Sequence, residues 1–160
     1  RRSDIREENA GLWDKTVGGH VHTNTSYNNT LVTEFSDELD ISTVIAEESE
    51  FDVLISSTDL EAKAVLKKVA YDPNFLSERR NKDGTFFTTR FMVTFYFGYY
   101  DGRVGFRDGE SSGIRVYSLD DLAQAVKDTP QEFTGDMKVM IPRYMAYIIP
   151  LRPLPIINSP

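Results

Sequence analysis

Three carboxylates, Glu34, Asp37 and Glu38, are spaced so that they share one side of a helix, because Asp37 and Glu38 follow Glu34 by three and four residues. Like charges this close repel, and partial burial adds a desolvation cost. A hard divalent cation such as Mg²⁺ offsets both terms because it takes oxygen ligands. The element that must position the acids is predicted to run from Tyr27 to Leu39, with Ser26 as its N-cap. Tyr27, Leu31, Phe35 and Leu39 recur at i, i+4 steps with Val32 beside them, which makes one apolar stripe. Glu38 is turned furthest toward that stripe. Gly18 and Gly19 precede the helix and permit a close turn.

Other residues could also do chemistry. His20 and His22 alternate on an extended segment, but the chain has 2 histidines and no cysteine to complete a zinc site, so they read as loop residues. Lys63, Lys67, Lys68, Arg79, Arg80 and Lys82 form the one basic island, suited either to gripping phosphates or to solvation of a helix face.

The segment from Gly19 to Ile41 resembles the box of the Nudix hydrolases, G-x5-E-x7-R-E-U-x-E-E-x-G-U, with U an apolar residue. Gly19, Glu34, Phe35, Glu38 and Ile41 match, and Asp37 stands for a glutamate. Thr25, Thr33 and Asp40 replace the first glutamate, the arginine and the second glycine. The run from Gly11 to Val21, with Ser118 to Leu122 and Phe133 to Asp136, is similar to the isopentenyl-diphosphate-isomerase-like branch. The resemblance implies an α/β/α sandwich with a mixed sheet between helices. It implies Glu34, Asp37 and Glu38 as catalytic and metal-holding residues for Mg²⁺ or Mn²⁺, with Glu110 as a further acid. Gly18, Gly19, Arg79 and Arg80 are then expected on the substrate. Isomerase activity is not expected, because that family moves a proton with a cysteine and this chain has none.

Length and composition bound the rest. The chain has 160 residues, 40% hydrophobic and 27% charged, which fits one domain with a genuine core. Residues 1–149 read as that domain, with the first strand or two of the usual sheet missing before Arg1, and 150–160 as a proline-rich tail. No apolar run is long enough to span a bilayer, and no signal peptide is visible. The absence of cysteine fits a reducing cytoplasm. The formal net charge of −7 disfavours nucleic acid as a partner, while a bound metal would reverse the local sign for a small phosphorylated substrate. A homodimer is compatible with everything in the sequence.

The remaining elements are expected as follows. Leu12–Val17, Phe51–Ile55 and Ile114–Tyr117 read as strands, and the strongest strand runs from Phe87 to Tyr99 by alternation. Asp59–Val69 reads as a helix by composition, stopped by Pro73. Asn81 to Gly84 is a hairpin turn. Ser118 caps a helix through Val126, and Thr134 caps a last helix with Pro142 in its middle.

Two functions follow. One is a metal-dependent Nudix-type hydrolase of a nucleoside diphosphate linked to another group, or of a related diphosphate, slowed by the lost glutamate and arginine. The other is a Nudix-fold ligand- or partner-binding module with impaired catalysis. Thr25 and Thr33 lean toward the second, and the retained helix acids toward the first.

Overall fold

The computed structural model describes residues 1–106 and 109–148. The expected proline-rich tail lies outside the described residues. In chain order the elements are α1 (Tyr27–Leu39), β1 (Ser42–Ala46), α2 (Phe51–Ser57), β2 (Lys63–Arg80), β3 (Phe86–Tyr99), α3 (Leu119–Asp128) and α4 (Gly135–Ile148). The sheet is mixed, in the order β1-β2-β3: β1 runs parallel to β2, and β2 antiparallel to β3. This is an α+β fold.

The sheet lies between helices. Neighbouring strand residues point to opposite faces, and β2 uses three in succession. Ala64 and Leu66 pack with Phe35 and Leu39 of α1, whereas Val65 packs with Phe51 and Ile55 of α2. On the α2 face of β3, Phe95 meets Tyr144 of α4, with Phe97 packed alongside. A fourth cluster joins α3 to α4 through Val126, Phe133, Met137 and Ile141.

Four expected elements are corrected. Asp59–Val69 is not a helix; from Lys63 onward it is the central strand. Its composition favours a helix, but Ala64, Val65 and Leu66 are buried at 0%, 0% and 7% exposure, and a strand covered on both faces needs such a continuous run. Pro73 sits inside β2, where the pairing shifts register between Asp72 and Phe75, so the irregularity accommodates its missing N–H. Phe51–Ile55 is not a strand but most of α2, with Phe51 and Ile55 inward and Ser56 and Ser57 hydroxyls donating to the Asp52 and Val53 carbonyls. Leu12–Val17 forms only an isolated bridge, Trp13 to Phe133. Ile114–Tyr117 forms no strand; Ile114 and Val116 are 60% and 87% exposed, and the segment is pinned instead by Arg115 stacked on Trp13.

The remaining expected helices, caps and hairpin are found. Ser26 accepts from the Asn29 amide at 3.1 Å and Ser118 from the Asp121 amide at 3.1 Å. Thr134 Oγ1 accepts from the Met137 amide, and Pro142 lies inside α4. The β2–β3 hairpin turns at Asn81 to Gly84, where Gly84 has φ +86°, a conformation that costs glycine nothing. Tyr27 is the weak member of the α1 stripe: it is 36% exposed, its ring set edge-on against Tyr71.

Candidate functional site

The glycine loop closes onto α1. Gly19 lies against Glu34 so tightly that a Cβ there would overlap the carboxylate. At the other end of the helix Asp40 has φ 60° and donates its amide to the Phe35 and Ser36 carbonyls. That left-handed cap is the conformation for which glycine is usual and to which aspartate is among the better adapted of the rest. Asp40, one of three positions at which the sequence departs from the resembled box, therefore keeps the backbone shape of a glycine. The three helix acids diverge: Asp37 is exposed, Glu34 is half-buried under the loop, and Glu38 is half-buried and faces a cleft.

That inner cleft, of about 150 Å³, is lined by Gly18 and Glu38 on one side and Glu110 on another. Arg1, Arg2, Arg6, Lys15 and Arg115 also line it, against the carboxylates of Asp14, Glu38 and Glu110. Among the described residues of a chain of net charge −7, five cations and three acids thus surround one hollow, a local excess of positive charge.

A closed polar ring holds the floor. Arg2 donates to Asp14 at 3.1 Å, and Lys15 bridges Asp14 at 3.4 Å and Asp136 at 3.2 Å. Asp136 accepts from the Ser77 hydroxyl at 2.6 Å, Ser77 from Arg79 at 3.3 Å, and Arg79 pairs with Glu8. The Glu8 carbonyl accepts from Arg2, which completes the circuit. Burial pushes the Asp14 carboxyl up, yet the Lys15 and Arg2 charges and the Thr134 hydroxyl hold it below the ordinary carboxylate range. Burial pushes the Lys15 ammonium down, yet Asp14 and Asp136 outweigh that and raise it. The ring holds the Arg2 and Lys15 side chains beside the inner cleft.

A larger outer cleft of about 650 Å³ adjoins it. Its wall includes Arg79, whose guanidinium lies 4.9 Å from the Phe91 ring centre, and His20, edge-on to the same ring at 5.8 Å. The N-terminal segment forms the shared border. Arg2 bridges Ser111, the Ser3 amide donates to the Glu110 carbonyl at 2.8 Å, and the Ser112 amide to the Arg1 carbonyl at 2.9 Å.

Of the residues singled out in sequence, the inner cleft brings together Gly18, Glu38 and Glu110. Arg79 lies in the outer cleft. Gly19 and Glu34 touch each other one turn away. Arg80 lines neither cleft; it donates to the Ala10 carbonyl at 3.1 Å. The basic island is dispersed along β2 and its hairpin turn, with Lys67 on Glu48, Lys82 on Glu7 and Arg79 on Glu8, so it is not a helix face. Arg2, Arg6, Asp14, Lys15 and Asp136 were not singled out. The signal for Asp14, Lys15 and Asp136 was that the segments Gly11–Val21 and Phe133–Asp136 carry the same resemblance, and the Trp13–Phe133 bridge and the Thr134–Asp14 hydrogen bond at 2.9 Å bring them together; no such signal marked Arg2 or Arg6.

Among the described residues no group of three or more His, Asp or Glu side chains is arranged to hold a metal ion, and the three helix acids are no exception. Glu34 faces the Gly19 loop and Glu38 the inner cleft, so the two carboxylates do not converge on one point of that cleft. No helix among the described residues is long and apolar enough to cross a membrane. No protein-family model matches the chain, and no curated protein does.

Proposed function

We propose that the chain is a Nudix-type protein that takes a small diphosphate-containing ligand, such as a nucleoside diphosphate linked to another group, and hydrolyses it slowly with Mg²⁺ or Mn²⁺. The observation that carries this reading is the inner cleft, where Gly18 and Glu38 of the glycine loop and helix face a cationic hollow in an otherwise acidic protein. Arg2 and Lys15 offset phosphate charge with side chains already oriented by Asp14. Gly18 has no Cβ, and the Lys15 side chain packs into the space one would take. Glu34 and Glu38 would hold the divalent ion, and Asp37 would serve as a ligand or as base. The ion, when bound, supplies Lewis-acid stabilisation of charge on the diphosphate oxygens. Water adds to phosphorus, the bridging P–O bond breaks, and a helix carboxylate accepts the proton of the water.

A second reading has its own support. The dispersed acids, with Asp37 exposed and Thr25 and Thr33 both on the surface, favour a binding module that keeps the cleft and has lost efficient turnover. Mn²⁺ titration by calorimetry, followed by a hydrolysis panel of nucleotide sugars and dinucleotides, separates the two. Metal-dependent turnover that Glu38→Gln abolishes supports the hydrolase. Ligand binding without turnover supports the module.

A further inference from the structure

We propose that Arg6 is the residue that receives a ligand phosphate, and that Glu110 occupies its guanidinium until the ligand arrives; this rests on the cleft reading above. Among the described residues, three charged side chains line both clefts: Arg2, Arg6 and Glu110. Arg2 is committed to the polar ring through Asp14 and the Glu8 carbonyl, with its side chain 19% exposed. Arg6 is not part of that ring. Its guanidinium forms an ion pair with the Glu110 carboxylate, and the two side chains are 34% and 44% exposed.

Their accessibility decides the roles. Breaking the Arg2–Asp14 pair would leave a buried carboxylate short of a partner, which is costly. The Arg6–Glu110 pair is easier to break, because both side chains are partly exposed and solvent screens the pair. A diphosphate presents several acceptor oxygens and more negative charge than one carboxylate, so it is the stronger partner for a guanidinium fork. Arg6 sits at the junction of the two hollows, so a phosphate held there extends into either one. Glu110 then acts as an internal competitor for anions and not as a metal ligand. It lowers affinity for weak carboxylate or monoanionic ligands and leaves diphosphates able to displace it.

The test uses inorganic pyrophosphate without metal, measured by calorimetry at fixed ionic strength on the full chain. Glu110→Gln is expected to bind about two- to fivefold tighter than the parent, the ratio that matches the energy of a half-exposed pair. Arg6→Ala is expected to bind more weakly, and adding Glu110→Gln to it is expected to bring no gain. Glu7→Gln, which removes a charge from the outer cleft where its partner is Lys82, controls for the general field and is expected to show no gain. Thermal melts of each variant separate misfolding from altered binding. Unchanged or weaker binding by Glu110→Gln overturns the proposal, as does a gain that persists in the Arg6→Ala background or appears equally in Glu7→Gln. If the parent binds pyrophosphate and these patterns fail, the competitor role alone falls. If no variant binds at millimolar pyrophosphate, the cleft reading falls with it.

Discussion

Gly19 packs directly on the side chain of Glu34, leaving no room for a Cβ between the loop and the carboxylate. Any larger residue at 19 must displace either the loop or the acid. Gly19→Ala is therefore expected to move Glu34 and weaken Mn²⁺ binding by about tenfold, a loss of about 1.4 kcal/mol. Calorimetry reads the affinity, and a thermal melt close to the parent's would show that the effect is local. Unchanged Mn²⁺ affinity would remove Glu34 from the metal's surroundings.

The α1 stripe makes a graded prediction for stability. Phe35 is 8% exposed between α1 and the sheet, so Phe35→Ala is expected to cost about 3–5 kcal/mol in denaturant unfolding. Tyr27 is 36% exposed at the end of the same stripe, so Tyr27→Ala is expected to cost about 1 kcal/mol. Equal costs would contradict the packing of α1.

The polar ring sets a pH window. Asp14 has a folded pKa below its unfolded value, so its stabilisation is present above the ordinary carboxylate pKa of about 4 and is lost as pH falls through the lower folded value. Lys15 has a folded pKa above its unfolded value, so its stabilisation is present below about 10.4 and is lost as pH rises through the higher folded value. Unfolding free energy measured against pH is expected to be flat across neutrality, as far as this pair is concerned, and to fall at both extremes. Asp14→Asn should flatten the acid limb, and an acid limb as steep as the parent's would assign that limb to other carboxylates.

The two surface threonines offer a gain-of-function test. Thr33 and Thr25 are exposed, so charged replacements meet no packing obstacle. Thr33→Arg with Thr25→Glu is expected to raise metal-dependent hydrolysis about tenfold or more, each tenfold being about 1.4 kcal/mol of transition-state stabilisation. Steady-state rates with Mn²⁺ check this, and no increase would indicate that the departures at 25 and 33 are not what limits turnover.

Local signals made some of this structure legible in the chain. Ser26, the i+4 stripe and the Asp-Gly pair of the hairpin each act within a few residues, so α1 and the strong alternation of β3 could be read directly. β2 could not, because its strand state depends on α1 and α2 covering opposite faces of Ala64, Val65 and Leu66, and burial from both sides overrides helix-favouring composition. The same holds for the site. Glu34 and Glu38 were visible as neighbours on one helix. Arg2, Lys15 and Asp136 become neighbours only when segments up to 121 residues apart close the polar ring, as Lys15 and Asp136 do. Glu110 was visible as an acid, but its pairing with Arg6 was not.

The central claim is that the cleft beside Glu38 holds a diphosphate for metal-dependent hydrolysis, and one measurement addresses it most directly. Product release from a nucleotide-sugar and dinucleotide panel is followed with Mn²⁺, with chelator, and with Glu38→Gln. The account predicts slow hydrolysis of at least one diphosphate, lost with chelator and reduced about a hundredfold or more by Glu38→Gln, in the range for removing a positioned catalytic carboxylate. Hydrolysis that Glu38→Gln leaves unchanged, or no Mn²⁺ binding and no turnover on any member of the panel, would contradict it.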